Sequence, residues 1–150
     1  CFELYWPVCE ERPEAAEEAA EAPPRGGSET ILLAEDDEMV RLLATAMLER
    51  AGYTVLPATT GHEAVTVFEQ HAGDIGMVLL DVVMPGLGGR EAFERMRAER
   101  PDLKALFASG YSADAVHTDY VLDDGVALIQ KPFRRAVLLR AVREILDGGN

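Results

Sequence analysis

Acidic, hydroxyl and amine side chains follow short apolar runs in this sequence. The segment LLDVVMPGLGG places Asp81 at the end of one such run, and EDDE, Glu35 to Glu38, follows another. Ser109 and Lys131 stand at the ends of two further runs. A buried carboxylate without a partner costs several kcal/mol or gives up its charge, so Asp81 needs a partner where it stands.

The residue types at these positions suit phosphoryl chemistry. Glu35, Asp36 and Asp81 would repel one another if they lay together, unless a cation intervened. All-oxygen ligands favour Mg²⁺, which keeps several waters and shares phosphate oxygens. The Asp81 carboxylate could attack phosphorus without a general base, while Lys131 neutralised the transferring group and Ser109 donated a hydrogen bond to it. We therefore expect an acyl phosphate on Asp81.

Apolar runs alternate with helical patterns from Thr30 onward. The runs are continuous rather than alternating, which is typical of strands buried on both faces of a parallel sheet. Thr60 and Glu63 have the spacing of a capping box, Gly52 can close the first helix, and Pro101 stops the third. The runs are TILLA, TVLPA, MVLLD, KALFA and VALIQ, beginning at Thr30, Thr54, Met77, Lys104 and Val126. This pattern predicts five βα units in a doubly wound α/β domain.

The predicted fold would bring the chemical residues together. In doubly wound sheets, ligands bind beyond the carboxyl ends of the strands, near the point where the strand order reverses. In the flavodoxin-like order 2-1-3-4-5, strands one, three, four and five are neighbours. The side chains that follow these four strands are then expected to meet in one pocket.

Four motifs in register resemble one known family. The acidic cluster after the first run, LLDVVMPG, the SG pair after the fourth run and QKPF after the fifth resemble the receiver domain of two-component response regulators. The similarity extends from Thr30 to about Asp147. It implies a five-stranded receiver fold that catalyses its own aspartyl phosphorylation and dephosphorylation. The phosphoryl donor would be a phosphohistidine of a histidine kinase or of a histidine phosphotransfer domain.

The resemblance also assigns roles to single residues. It implies that Asp81 is phosphorylated and that Asp36 and the main-chain carbonyl of Val83 bind Mg²⁺, with Glu35 at the family's other acidic position. Ser109 and Lys131 match its hydroxyl and lysine positions, and Pro132 fits its cis peptide. Leu128 departs from the pattern, because receivers often carry a switch aromatic there. Asp37 and Glu38 are interpreted as the start of a helix, where negative charge is favourable, and not as ligands.

Composition excludes several classes of partner. The 150 residues carry a net charge of −13 without a basic cluster, which argues against a nucleic-acid or anionic-membrane surface. No apolar run reaches the roughly 18 residues of a membrane span. The only two cysteines are Cys1 and Cys9, which favours a reduced, cytoplasmic setting. The sequence leaves the oligomeric state open, a homodimer included.

The first 30 residues differ from the rest of the chain. They hold eight of the 27 acidic residues and four of the eight prolines. Residues 1–9 contain FELYWP, which is similar to the last strand of the ATP-binding domain of histidine kinases, and residues 10–29 read as an acidic linker. With a receiver domain at 30–150, this organisation favours the C-terminal receiver of a hybrid sensor histidine kinase over a free-standing response regulator.

Two other classes of phosphoryl-handling protein are disfavoured. A haloacid dehalogenase-type phosphatase would need a second aspartate two residues after Asp81, and Val83 stands there. A P-loop enzyme would need the motif GxxxxGK[ST], which the sequence lacks.

Overall fold

The apolar runs form a parallel sheet in the computed structural model, which describes residues 25–110 and 126–148. Five strands lie in the order β2-β1-β3-β4-β5. The strands are β1 Thr30–Ala34, β2 Thr54–Ala58, β3 Ile75–Asp81, β4 Lys104–Ser109 and β5 Ala127–Gln130. Four helices are described: α1 Glu38–Glu49, α2 Gly61–His71, α3 Gly89–Glu99 and α4 Arg135–Asp147. The predicted doubly wound, flavodoxin-like order is therefore confirmed.

Helices cover both faces of the sheet. Phe68 of α2 and Phe93 of α3 pack against one face, and Phe93 meets Phe107 of β4 edge-on at 5.7 Å between ring centroids. Leu48 of α1 and Leu138 of α4 pack against the other face. Residues of each strand alternate between these two cores, so the strands are mainly apolar, as burial on both faces requires.

The residues predicted to begin and end helices do so, with one difference in the capping box. Thr60 precedes α2, and its hydroxyl accepts a hydrogen bond from the Glu63 N–H at 3.1 Å. Glu63 reaches back to Thr59 rather than to Thr60, accepting from the Thr59 N–H at 2.6 Å. Gly52 follows α1 with φ of +99°, and Pro101 comes two residues after the end of α3. The sequence therefore located the ends of these helices.

Strand boundaries differ slightly from the expected ones. β3 begins at Ile75, two residues before the predicted Met77, because Ile75 still pairs with Thr30 across a register shift. Ser109 is the last residue of β4 rather than the residue after it. The predicted helix between β4 and β5 falls within residues 111–125, which lie outside the described residues.

The segment that leads into β1 is attached to the domain. The Gly27 N–H donates to the Ala51 carbonyl at 3.2 Å, at the amino end of the sheet. Arg143 of α4 then joins Glu29 at 2.8 Å and Asp147 at 2.6 Å through the same nitrogen, Nη2. Part of the predicted linker thus packs on the domain, whereas residues 1–24, with both cysteines and the predicted kinase strand, lie outside the described residues.

Within residues 25–110 and 126–148, no helix combines the length and apolar character that crossing a membrane requires.

Candidate functional site

The carboxyl ends of the strands bring the predicted residues to one edge. Glu35 directly follows β1, Asp81 ends β3, and Lys131 follows β5. Hydrogen bonds continue just past the strands: the Val82 N–H donates to the Ala108 carbonyl at 2.9 Å, and the Lys131 N–H donates to the Ser109 carbonyl at 2.7 Å. The hydrogen bonding of the sheet therefore continues for one residue past β3 and past β5.

Lys131 joins two acidic residues from distant parts of the chain. Its Nζ lies 2.9 Å from Asp81 Oδ2 and 3.0 Å from Glu35 Oε2. All three side chains are largely buried, with 3% of Glu35 and 5% of Asp81 exposed. Buried charges of this kind are stable only when paired and hydrogen-bonded, so the lysine answers the need for a partner at Asp81.

The remaining oxygens of the two acids accept main-chain hydrogen bonds. The Val83 N–H donates to Asp81 Oδ1 at 3.2 Å, and the Asp37 N–H donates to Glu35 Oε1 at 3.1 Å. Each carboxylate is thus oriented by one main-chain donor and one ammonium. Donors that are held in a fixed orientation can stabilise negative charge that develops during a reaction.

Three carboxyl groups form a cluster that could hold a metal ion. One oxygen each from Glu35, Asp36 and Asp81 lies within 4.8 Å of the others. Asp36 is exposed, whereas the other two are buried. These three acidic groups lie with one ammonium, that of Lys131, so in their ionised forms they would carry more negative charge than Lys131 neutralises. An exclusively oxygen donor set with excess negative charge and one solvent-facing ligand fits Mg²⁺.

Burial perturbs the ionisation of the site. Loss of water raises the pKa of Glu35 to about 7, and the charge of Asp81 adds to this, although the bonds from Lys131 and Asp37 act in the opposite direction. Burial by itself would lower the pKa of Lys131, but its hydrogen bonds to Asp81 and Glu35 outweigh this effect and the pKa is raised. Lys131 is therefore a permanent cation of the site.

Helix α3 begins against the backbone of Asp81. Gly89, its first residue, lies so close that a Cβ atom would overlap the Asp81 carbonyl oxygen. The preceding turn contains Gly86, whose φ of +78° is a conformation that residues with side chains rarely adopt. The glycines of LLDVVMPGLGG thus let a turn and a helix start fit behind the acidic residue.

The other residues predicted from the sequence each have a defined place in the fold. Ser109 ends β4 next to the end of β3 and is 1% exposed. Val83 is 51% exposed, and a role for its carbonyl stays a prediction. The peptide bond between Lys131 and Pro132 is cis, and Leu128 packs against the core that contains Phe107.

The structure also clarifies two residues near Asp36. Asp37 accepts hydrogen bonds from the N–H groups of Met39 and Val40, which confirms that it begins α1. Arg41, which the sequence reasoning did not single out, donates from Nη1 to the Glu35 carbonyl at 2.9 Å. Its spacing from the acidic cluster, less than two helical turns, was the available signal, but a cation on a helix is usually only a surface residue.

A family model described as the response regulator receiver domain matches residues 31–143 of this sequence. The chain belongs to the response regulator receiver family. It is 37% identical over 121 residues to sensor kinase CckA of Brucella abortus (strain 2308), covering 81% of this chain but 13% of the kinase. It is 33% identical over 116 residues to the response regulator receiver protein CpdR of the same strain, covering 77% of this chain and 95% of that protein.

Solved receiver structures share the fold. The receiver domain from hybrid histidine kinase CckA superposes with a TM-score of 0.67 at 32% identity, covering 78% of this chain and 98% of that one. A receiver protein from Sinorhizobium medicae WSM419 superposes with a TM-score of 0.72 at 27% identity, covering 82% of this chain and 98% of that one. The present receiver domain is therefore a component of two-component phosphorelay signalling.

Proposed function

We propose that this receiver accepts a phosphoryl group from a phosphohistidine onto Asp81, with Mg²⁺ held by Glu35, Asp36, Asp81 and the Val83 carbonyl. The observation that carries the proposal is the cluster of three carboxyl groups within 4.8 Å, with Lys131 Nζ bonded to two of them. Bound Mg²⁺ would supply positive charge opposite the phosphoryl oxygens.

The transfer exchanges one bond for another. A carboxylate oxygen of Asp81 attacks phosphorus and the bond from phosphorus to the donor imidazole nitrogen breaks. That nitrogen retains the electron pair of the bond, and the imidazole leaves neutral because its other ring nitrogen carries a proton. Asp81 needs no general base because a carboxylate is already an anion. The Val83 N–H and the Lys131 ammonium fix the carboxylate in place before the reaction, which lowers the entropic cost of the attack.

Lys131 and Ser109 stabilise the transferred group. The Lys131 ammonium lies 2.9 Å from Asp81 Oδ2, so a phosphoryl group attached to that residue arrives next to a permanent cation. The Ser109 hydroxyl, at the end of the adjacent strand, donates a hydrogen bond to a phosphoryl oxygen. Both contacts strengthen as negative charge moves onto the phosphoryl oxygens.

Intact-mass spectrometry tests this proposal. Incubation with acetyl phosphate and Mg²⁺ should add about 80 Da, the mass of one phosphoryl group, and the gain should disappear with EDTA. Asp81→Asn should abolish it, whereas Asp37→Asn, a matched change at the helix cap, should leave it intact. A gain that persists in Asp81→Asn, or without Mg²⁺, contradicts the proposal.

The protein that contains this domain is the second part of the proposal. Similarity to sensor kinase CckA, together with the sequence FELYWP, supports a cytoplasmic receiver domain within a hybrid histidine kinase that other segments could anchor in a membrane. CpdR supports the alternative of a single-domain regulator, because the match covers 95% of that protein. The reading frame upstream of Cys1 decides between them: a phosphoacceptor histidine and an ATP-binding domain there support the kinase, and their absence supports the alternative.

A further inference from the structure

Arg41 bonds to the main chain on both sides of Asp36. Its guanidinium Nη1 donates to the Glu35 carbonyl at 2.9 Å, and its own N–H donates to the Asp37 carbonyl at 2.9 Å. The first bond is made by the Arg41 side chain, whereas the second is the first main-chain hydrogen bond of α1 and does not depend on the side chain.

The other polar groups of Glu35 are already engaged. Its N–H donates to the Ala58 carbonyl at 3.1 Å, and its two carboxylate oxygens accept from the Asp37 N–H and from Lys131. The Glu35 carbonyl lies beyond the end of β1, so the bond from Arg41 completes the hydrogen bonding of this residue. The main chain on either side of Asp36 is therefore held by the Arg41 side chain at the Glu35 carbonyl and by the first bond of α1 at the Asp37 carbonyl.

The charge of Arg41 also affects Glu63 in the first turn of α2. The pKa of Glu63 is lowered mainly by hydrogen bonds from the N–H and the hydroxyl of Thr59, and the charge of Arg41 adds to this. Arg41 is half-buried, so its guanidinium is partly shielded from water. Arg41 therefore bonds to the segment that follows β1 and lies near enough to the first turn of α2 for its charge to act on Glu63.

We propose that Arg41 is a positioning residue of the metal site, which holds the Asp36 carboxylate in the orientation that Mg²⁺ requires. The proposal rests on the proposed function, since it assigns Asp36 to Mg²⁺. Arg41 acts through the main chain of residues 35–37 and does not itself contact the metal or the phosphoryl group.

The positive charge of Arg41 and its hydrogen bond to Glu35 predict opposite changes in Mg²⁺ affinity when Arg41 is removed. Loss of a nearby positive charge would, by itself, strengthen the binding of a cation to the carboxylates. Loss of the bond to Glu35 frees the loop and weakens binding, and removing a group that holds a metal ligand in place usually costs about ten- to a hundredfold in affinity. The sign of the change therefore separates the two roles.

Calorimetric titration with Mg²⁺ measures this sign on the full chain. Arg41→Ala should raise the Kd for Mg²⁺ about tenfold or more, and Arg41→Lys, which keeps a donor and the charge, should recover much of the affinity. Arg50→Ala removes the same charge just past the far end of α1 and should leave the Kd nearly unchanged. An Arg41→Ala variant that binds Mg²⁺ as tightly as the wild type, or more tightly, overturns the proposal.

Amide hydrogen exchange in EDTA gives a readout without metal. The Asp37 N–H, bonded to Glu35 Oε1, should exchange severalfold faster in Arg41→Ala than in the wild type or in Arg50→Ala. Equal exchange in all three proteins would also overturn the proposal. Should the alanine variant not fold, Arg41→Met, which keeps a long side chain but lacks the donor to the Glu35 carbonyl, replaces it. A rise in the Kd and in this exchange rate with Arg41→Met supports the role, and wild-type values for both exclude it.

The two proposals fail in different ways. A wild-type domain that takes up neither Mg²⁺ nor a phosphoryl group refutes the proposed function. A wild-type domain that does both, beside an Arg41→Ala variant with unchanged affinity, refutes the positioning role alone.

Discussion

Replacing Glu35 by glutamine removes a negative charge that the folded state disfavours. Burial raises the pKa of Glu35 from 4.5 to about 7, so the folded domain binds a proton at Glu35 more tightly than the unfolded chain does. The stability that comes from this proton is fully present below pH 4.5 and is lost as the pH rises through 7. Without Mg²⁺, we therefore expect the wild type to lose stability relative to Glu35→Gln as the pH increases.

The size of the effect follows from the change in pKa. At about 1.4 kcal/mol per pKa unit, a rise from 4.5 to about 7 corresponds to on the order of 3 kcal/mol, of which about 2–3 kcal/mol falls between pH 5 and pH 8. Protonated Glu35, like glutamine, has one carbonyl oxygen to accept a hydrogen bond, so the two proteins should have similar stability at pH 5. At pH 8, ionised Glu35 should leave the wild type less stable than the variant by about 2–3 kcal/mol.

Urea unfolding in EDTA, followed by circular dichroism at pH 5, 6, 7 and 8, measures this difference. Glu49→Gln serves as the control, because Glu49 is an exposed acid at the end of α1 and should follow the wild type at every pH. Addition of Mg²⁺ at pH 8 should stabilise the wild type more than Glu35→Gln, because the carboxylate binds the cation in the folded state. Stability curves of wild type and Glu35→Gln that run parallel from pH 5 to pH 8 would refute this reasoning.

Three further substitutions test other contacts. Arg100→Ala should destabilise the domain by about 2 kcal/mol in urea unfolding, since Nη1 donates to two main-chain carbonyls at 2.7 and 2.6 Å, whereas exposed Arg97→Ala should have little effect. Val83→Asn should shorten the half-life of the acyl phosphate by up to about tenfold, because an amide can orient water where a half-exposed valine offers no polar group; an unchanged decay rate after removal of the phosphodonor excludes this. Gly89→Ala should cost about 1–3 kcal/mol in the same unfolding assay through overlap with a main-chain oxygen, whereas Gly73→Ala, with nothing within 4 Å of the new Cβ, should not.

Much of the fold could be predicted because its signals are local. The runs TILLA and TVLPA coincide with β1 and β2 residue for residue, since each is bounded by polar or turn residues. The start of β3 was placed too late because Gly76 interrupts the apolar run, although pairing with β1 extends the strand to Ile75. Propensity identifies a strand, but its last paired residue depends on the neighbouring strand.

The candidate site was predictable in its members but not in its contacts. Asp81, Glu35 and Lys131 follow strands that the sequence identified, so their meeting at one edge followed from the strand order. That Lys131 bonds to both acids depends on distances across 96 and 50 residues of chain, which no spacing in the sequence encodes. The bond from Arg41 to a main-chain carbonyl is equally invisible, because every residue offers such a carbonyl.

Gly27 and Glu29 are bonded to the domain at the amino end of the sheet. Any polypeptide that precedes the domain therefore enters it at that end. Asp81, the proposed phosphoryl acceptor, lies at the opposite end of the strands, about 17 Å away for five residues at roughly 3.3 Å each. A donor histidine upstream in the same chain must therefore span at least the height of the sheet before transfer within one molecule is feasible. Shortening that connection would lower the local concentration of donor at the acceptor and shift phosphoryl transfer towards exchange between molecules.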